Sequence, residues 1–424
     1  MASLIDPLNQ SMMDALNEDL MEQIELGDLK MIRQLIRLGA DINFVDREYF
    51  TPLIKAAYLG DLKIVRELMQ YEHLDVNADD YDHSTALTIA SSHGHARVVR
   101  ELLKHKDLDV SVENFDDQSA WMCACELGHK AVVHELLKDC RSDINARDRE
   151  DVTGLIMASA SGHEGVVVEL LKHDNVDVNA VQWDGSTALI QASSNDHARI
   201  VYQLLKDDRV DVNVETEFDG RTALIMASSL GHARIVSLLL KDDRVDVNVE
   251  TKFDGLTALS EASSSGHEAV VRQLLKHDRV NVNAVDRVGQ TALILASKEG
   301  HEAVVSKLLK HKSVEVNAVD FKGRSAFFWA SYSDNAGVVH QLSKRDGVDM
   351  NGMCALGNTA LIWACLQGRS GMVSELLKMP GVHVHAKNKA GSTALDIAHG
   401  LENVEIVKML EERINAGFWH DLKE

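Results

Sequence analysis

Residues 222–240 read TALIMASSLGHARIVSLLL, and versions of this stretch recur along most of the 424-residue chain. Thr222 is a good helix N-cap, because its hydroxyl accepts a hydrogen bond from an unpaired backbone N–H of the first turn. Apolar residues at helical spacing follow it, Gly231 interrupts them, and a second apolar series begins after His232. The stretch therefore predicts two short helices joined by a tight turn.

The first four residues of this stretch define a motif that occurs eleven times, spaced by 34 residues and twice by 35. The motif begins at Thr51, Thr85, Ser119, Thr153, Thr187, Thr222, Thr257, Thr291, Ser325, Thr359 and Thr393. Each predicted helix has about eight to ten residues, which is too short to persist alone in water. Each unit must therefore bury its apolar face against neighbouring units.

The segment between successive helix pairs predicts a hairpin-like loop. Residues 245–248 (VDVN) alternate apolar and polar side chains, and the Asp-Gly pair at 254–255 is a turn signal. Within the first helix, the small residues Ala227 and Ser228 allow neighbouring helices to approach closely. We expect the Ser228 hydroxyl to bond back to the preceding turn of its own helix.

The order Thr-Ala-Leu-Ile-x-Ala-Ser-Ser-x-Gly-His, Val-Val-x-x-Leu-Leu-Lys, Asp-Val-Asn-Ala and a turn glycine resembles the ankyrin repeat. The resemblance covers nearly the whole chain. It implies an all-α repeat solenoid of stacked helix-turn-helix units with β-hairpin-like loops and a wide concave face. Two departures concern the turn, because the family's Gly-Ala-Asp occurs only at residues 39–41, and later units carry an extra residue, as in 173–177.

The repeat register divides the chain into four expected segments. Residues 1–13 are expected to be a flexible N-terminus, and residues 14–50 an N-terminal capping helix pair. Residues 51–410 hold the ankyrin-repeat array of about eleven units, and residues 411–424 form a short C-terminal tail. Little sequence is left for any other domain.

The formal charge of −22 argues against general binding of nucleic acid, which needs a surplus of Lys and Arg. It also disfavours an anionic membrane surface. If charge steers any partner, that partner has a basic surface, although the acidic balance is also explained by solubility alone. No apolar run approaches the roughly 20 residues that cross a bilayer. Sparse cysteines and no signal-peptide pattern predict a cytoplasmic protein, with the nucleus left open.

The histidines follow the repeat and predict no metal site. Seven of them share one repeat position, namely His95, His129, His163, His197, His232, His267 and His301. A residue that recurs once per unit performs a structural task in each unit, here a bond near the turn between the helices. The pair Cys123 and Cys125 points to different sides of a helix and has no second pair, so we interpret both as packing residues.

No sequence motif indicates an enzyme. The chain has no Gly-rich phosphate loop, nucleophile elbow or His-Glu-x-x-His motif. We therefore expect no catalytic residues, no metal and no cofactor.

The recurring Asp-Val-Asn asparagines have two interpretations. They are Asn179, Asn213, Asn248, Asn283 and Asn317. The family resemblance implies a setting that asparaginyl hydroxylases accept. The alternative, which we favour, is that each side-chain amide braces its loop.

Aromatic residues are concentrated where the resemblance implies partner contact, at the hairpin tips and the exposed positions of the first helices. The candidate partner-binding residues are Tyr49, Phe50, Tyr58, Tyr81, Phe115, Trp183, Phe218, Phe253, Phe321 and Tyr332. Grouped aromatic residues on an exposed edge suit a binding hot spot. The competing interpretation is that each tip ring packs on the neighbouring tip. We favour packing for any single ring and binding for the row as a whole.

The unit that begins at Ser325 is the most irregular. Residues 326–329 (AFFW) replace the usual aliphatic residues, Asp334 and Asn335 replace Gly-His, and Ser343 replaces a leucine. The sequence does not separate a specialised unit from a decayed one, and we favour decay with local softening. Decay predicts local softening, with the fastest amide exchange over residues 325–358.

These observations predict a monomeric protein-protein interaction module that holds a protein partner on its concave face and hairpin tips, as a scaffold or adaptor. The alternative is a regulatory inhibitor or host-directed effector that acts through the same surface.

Overall fold

The computed structural model describes the backbone of residues 7–421 and the side chains of residues 11–415. Over these residues the chain forms 24 helices and no extended strand. Contacts divide it into two compact units, Met1–Asp211 and Val212–Glu424, and twelve of the described helices lie in each. The expectation of an all-α architecture is confirmed.

The first unit consists of helix pairs joined by loops. Its helices are α1 (Pro7–Leu26), α2 (Leu29–Leu38), α3 (Pro52–Leu59), α4 (Leu62–Leu68), α5 (Ala86–Ser92), α6 (Ala96–Leu102), α7 (Ala120–Glu126), α8 (Lys130–Leu136), α9 (Gly154–Ala160), α10 (Glu164–Leu170), α11 (Ala188–Ser194) and α12 (Ala198–Leu205). From α3 onward, each odd-numbered helix starts directly after the first residue of a repeat motif and is the first helix of its repeat.

The second unit has the same plan. Its helices are α13 (Ala223–Ser229), α14 (Ala233–Leu239), α15 (Ala258–Ser264), α16 (Glu268–Leu274), α17 (Ala292–Glu299), α18 (Glu302–Lys310), α19 (Ala326–Tyr332), α20 (Ala336–Ser343), α21 (Ala360–Leu366), α22 (Ser370–Leu377), α23 (Ala394–Gly400) and α24 (Val404–Asp421).

The two ends of the described chain are more helical than the sequence indicated. Helix α1 begins at Pro7, where the fixed φ of proline suits a first helical position, and so includes residues 7–13 of the segment expected to be flexible. Buried Leu20 and Ile24 anchor this helix. At the other end, α24 continues through the expected tail as far as Asp421. Residues 1–6 and 422–424 lie outside the described residues.

The repeat threonines start the first helices as predicted. Thr222 Oγ1 accepts a hydrogen bond from the backbone N–H of Ile225 at 3.4 Å. Thr51 does the same for Ile54 at 3.2 Å, and Pro52 follows it as the first helical residue. Ser325 caps α19 in the same way, whereas the Ser119 side chain makes no cap bond to α7.

Within each unit, first helices pack on first helices and second helices on second helices. In the second unit α13, α15, α17 and α19 follow one another in contact, and so do α14, α16, α18 and α20. The apolar positions of the motif are buried, as shown by Leu224, Ile225, Val236 and Leu239. Since no repeat of this length holds its own core, this packing between repeats supplies the stability of the fold.

The serine in the middle of the first helix differs from the prediction. Ser228 is fully buried, but its hydroxyl has no hydrogen-bond partner among the described residues. The same is true of its equivalents Ser91, Ser159, Ser193, Ser263 and Ser297. Only Ser331 of this series is seen to bond back, through Oγ to the carbonyl oxygen of Phe327 at 2.9 Å. Close helix packing therefore selects serine for its size rather than for its hydrogen bond.

The loops are hairpin-like, with one antiparallel bridge each in several repeats. The bridged pairs are Asp79–Thr85, Glu113–Ser119, Arg147–Thr153, Val285–Thr291 and Val319–Ser325. The asparagines of the Asp-Val-Asn positions, which follow the second helix of each repeat, hold one loop to the next. Asn248 Nδ2 donates to the carbonyl oxygen of Arg279 at 2.8 Å, and Asn248 Oδ1 accepts from the N–H of Asn281 at 2.8 Å. Asn283 and Asn317 make the same pair of bonds. The bracing interpretation is correct, but the brace joins consecutive repeats.

Candidate functional site

The repeat histidines are structural. The Nε2 atom of His267 lies 2.9 Å from the carbonyl oxygen of Ser229, at the end of the first helix of the preceding repeat. Equivalent contacts of 2.7–3.1 Å are made by His95, His129, His163, His197 and His301. Gly231 has a positive φ of 81°, and a Cβ there would lie 2.7 Å from the ring of His267, so this turn favours glycine. The histidine and glycine of the motif thus form one joint between repeats.

The cysteines and acidic residues show no arrangement for metal or redox chemistry. In the described part of the chain, no group of three or more His, Cys, Asp or Glu side chains is placed to hold a metal ion. Cys123 and Cys125 are buried among helices, as packing residues are. Burial raises the pKa of the Cys123 thiol to about 12, so the reactive thiolate is not formed near neutral pH.

Aromatic residues at the hairpin tips of the first unit contact one another. The rings of Tyr49 and Tyr81 have centroids 5.4 Å apart, and those of Tyr81 and Phe115 are 6.1 Å apart. The His83 ring lies 4.5 Å from that of Phe115. These distances are typical of stabilising aromatic pairs. Both readings of the row therefore have support here, since the rings pack on neighbouring tips and still remain more than half exposed.

The other two candidates of the first repeat form a second cluster. Phe50 is 5.9 Å from Tyr58 on α3, and Tyr58 meets the ring of His93, on the next repeat, at 4.7 Å. The Lys55 ammonium lies 5.5 Å from the centre of the Phe50 ring and is paired with Glu25. Phe50 is half-buried and Tyr58 is exposed, so Tyr58 offers more of its surface to a partner.

The remaining tip candidates are strongly exposed in their own units. Trp183 lies in the first unit, and Phe218, Phe253 and Phe321 lie in the second. Phe321 covers Gly289 of the preceding repeat, where a Cβ would lie 2.7 Å from its ring, and still has 76% of its surface exposed. Most of the Phe321 ring is therefore available for contact with a partner.

The irregular repeat at 325–358 is well packed. Trp329 is buried and donates its Nε1–H to Asp320 at 3.0 Å. Arg324 pairs with the same carboxylate at 2.7 Å and lies 4.0 Å from the centre of the Trp329 ring. Asn335 takes the place of the repeat histidine and donates to the carbonyl oxygens of Ser297 and Lys298. The replaced residues keep the joint between repeats, which argues against decay and the softening expected from it.

A cavity of about 420 Å³ opens on this repeat and the next. Its walls are Phe328 and Tyr332 of α19, Trp363 of α21, and the loop residues Cys354, Ala355 and Leu356, with Lys322 and Arg324 at its edge. The Tyr332 ring is stacked on Trp363, with centroids 5.6 Å apart and planes at 26°. Of the predicted residues, only Tyr332 lies in this cavity.

The sequence analysis missed Phe328, Trp363 and Leu356 as surface candidates. A usable signal existed, since Trp329 and Trp363 occupy the same position of two consecutive repeats, and no other repeat has tryptophan there. The two are used differently, because the first is buried by Arg324 and Asp320 while the second lines the cavity.

A ladder of ion pairs joins consecutive second helices in the first unit. The pairs are Arg33–Glu67 at 2.6 Å, Arg66–Glu101 at 3.0 Å, Arg100–Glu135 at 2.7 Å and His134–Glu169 at 2.8 Å. The hydrogen bond from Arg100 holds the pKa of Glu135 at about 2, well below its usual value. The repeats that begin at residues 222–359 carry Leu238, Gln273, Lys307, Gln341 and Glu375 at the glutamate position, and Glu375 pairs with Lys378 of its own repeat. The ladder joins consecutive repeats and so contributes to stability.

Comparison with known families agrees with this geometry. The family model described as "Ankyrin repeats (3 copies)" matches residues 20–114, 121–216, 200–286, 277–354 and 327–417. No curated protein matches the chain. Among the described residues, every helix is too short or too polar to cross a membrane.

Proposed function

Because the chain belongs to the ankyrin-repeat family, whose repeats generally mediate protein-protein interaction, we propose that it binds a protein partner as a scaffold or adaptor. The binding surface is formed by the hairpin tips and the exposed positions of the first helices. The observation that carries the proposal is the exposed aromatic tips of each unit, namely Tyr81, Phe115 and Trp183 in the first and Phe253 and Phe321 in the second.

The rest of the repeat is already occupied by structural contacts. The histidines bond to the preceding repeat and the asparagines to the following loop. The serines and aliphatic residues are buried between helices. Exposed aromatic rings are left as the groups that gain most from contact with a partner, because each buries a large apolar area at a small cost in side-chain entropy.

Affinity capture from the source cell tests the proposal with tip variants made separately in each unit. One variant replaces Tyr49, Tyr81 and Phe115 by Ala, and the other replaces Phe218, Phe253 and Phe321. A matched control replaces Tyr202, an exposed aromatic residue on the second helix α12. We expect one captured protein to be lost with at least one tip variant and retained with the control.

Two outcomes would contradict the proposed surface. Capture that is unchanged in both tip variants removes the tips from the binding site. Capture that is lost only in the Tyr202 control places the partner on the second helices. If the captured protein is an enzyme that the chain inhibits, the regulatory alternative replaces the scaffold role on the same surface.

A further inference from the structure

The cavity at Phe328, Tyr332 and Trp363 lies beside a tip that carries only a methyl group. Other repeats carry an aromatic ring or a long basic side chain at this position, as at Arg287 and Lys389. The backbone N–H of Phe321 bonds to the carbonyl oxygen of Val288, and that of Ala355 bonds in the same way to Lys322. Ala355 therefore occupies the position in its repeat that Phe321 occupies in the preceding repeat. The Phe321 ring covers Gly289, whereas only backbone atoms approach the equivalent Gly323. A methyl group in place of a ring leaves the aromatic walls open.

The cavity is open to solvent and is continuous with exposed apolar surface. Leu356 on its rim is 64% exposed, and neighbouring Met353 is 48% exposed. Its volume of about 420 Å³ accommodates a large side chain together with the backbone that carries it. An apolar surface that extends beyond the cavity fits a polypeptide segment better than an isolated small molecule.

The charge at the rim is positive. Neither an Asp nor a Glu lines the cavity, while Lys322 and Arg324 do. Arg324 is neutralised by Asp320, but no ion pair found among the described residues includes the Lys322 ammonium. The rim is therefore complementary to a carboxylate.

The surrounding sequence has the same sign. Residues 321–400 contain eight Lys and Arg against five Asp and Glu, a formal charge of +3 within a chain of −22. Lys387 and Lys389 are exposed, and the backbone of Lys389 bonds to that of Leu356 on the rim. A basic region in an acidic protein concentrates acidic ligands locally.

We propose that this cavity binds a segment of a partner protein in which a large apolar side chain is adjacent to Asp or Glu. The apolar side chain enters between Phe328, Tyr332 and Trp363, and the carboxylate pairs with Lys322. Aromatic walls alone would also suit an alkylammonium side chain, but the Lys322 ammonium at the cavity would repel it, and no Asp or Glu lines the cavity to attract it. This inference rests on the proposed protein-binding function and adds a specificity to it.

Selection of a random twelve-residue peptide library on the full-length chain tests the proposal. Recovered peptides are then measured by fluorescence anisotropy against the wild type and four variants. Ala355→Phe supplies a ring at the tip and narrows the cavity, Ala355→Ser keeps it open, and Lys322→Ala and Lys322→Arg test the charge. Ala355 and Lys322 are exposed, so these variants are expected to fold, which far-UV circular dichroism checks.

We expect recovered peptides to combine a large apolar residue with Asp or Glu within two positions. Binding should fall by more than about tenfold in Ala355→Phe and stay unchanged in Ala355→Ser. Binding should be about threefold weaker in Lys322→Ala and as strong as in the wild type in Lys322→Arg. It should also weaken when salt is added.

Four results would overturn the proposal. These are no enrichment, recovered peptides without acidic residues, peptides rich in lysine, and binding that Ala355→Phe leaves intact. If the tip variants nevertheless lose the protein in the affinity-capture experiment, the chain binds that protein through its tips, and this cavity does not contribute. The failure of the cavity and the failure of the general function are thus separate observations.

Discussion

The repeats at residues 49–169 and those at 291–393 share one framework and use its surface positions differently. In the first region, the rings of Tyr49, Tyr81 and Phe115 contact one another along the tips, and arginine-glutamate pairs join the second helices. In the other, a tip ring is missing at Ala355 and three aromatic walls face an open cavity. The rings of both regions contact one another, but the tip rings offer an exposed edge to a partner, whereas the cavity rings also enclose a space that a side chain can fill.

The largest expected effect distinguishes a residue of the packed framework, Trp329, from a residue of the cavity surface, Tyr332, within the second region. Trp329→Ala removes a buried ring and leaves Asp320 without its Nε1–H donor, so we expect a loss of about 3–5 kcal/mol in the free energy of unfolding. Tyr332→Ala, from a half-buried ring, should cost about 1 kcal/mol. Urea unfolding followed by circular dichroism measures both, and equal losses would mean that Tyr332 is also framework.

The second expected effect concerns the ion-pair ladder and its dependence on pH. The pKa of Glu135 is lowered to about 2, so its stabilising contribution is complete above its usual pKa near 4.5 and is lost as the pH falls toward 2. Glu135→Gln should therefore lower the free energy of unfolding by about 1 kcal/mol at pH 7 and by progressively less toward pH 3. Urea midpoints at the two pH values check this. Gln341→Ala, at the same position of the other region, is the control and should show no such pH dependence.

A smaller effect compares two buried serines. Ser331→Ala removes the hydrogen bond to Phe327 and should destabilise the chain by about 0.5–1 kcal/mol. Ser263→Ala removes a buried hydroxyl that has no partner and should be neutral or stabilising. Paired urea midpoints give the sign. A loss of the same size at both positions would show that Ser263 is bonded in solution.

The smallest effect is expected at the tips. Tyr81→Ala removes two ring contacts and should cost about 0.5 kcal/mol. Thermal unfolding measures this change. A loss as large as that of Trp329→Ala would make the tip row framework and would remove its role in binding.

The sequence was sufficient for the helix pairs and the repeat register, because the N-cap threonines and the spacing of apolar residues are local signals that recur. The same recurrence identified the histidines as structural. It did not reveal the cavity, since Phe328 and Trp363 come from consecutive repeats and the space between them depends on a small residue at Ala355. It also missed the start of α1 at Pro7, because that helix is stabilised by packing on α2 and α3 rather than by the repeat motif.

Site-specific photo-crosslinking tests the central claim most directly, which is that the partner binds the tips and first helices. The photoreactive residue p-benzoylphenylalanine is placed in turn at the positions of Tyr81 on a tip, Tyr332 on a first helix and Tyr202 on a second helix. Each change keeps the phenyl ring of tyrosine and replaces its hydroxyl group by a benzoyl group. We expect a crosslinked protein adduct from position 81 or 332 and none from 202. An adduct from position 202 alone would contradict the account.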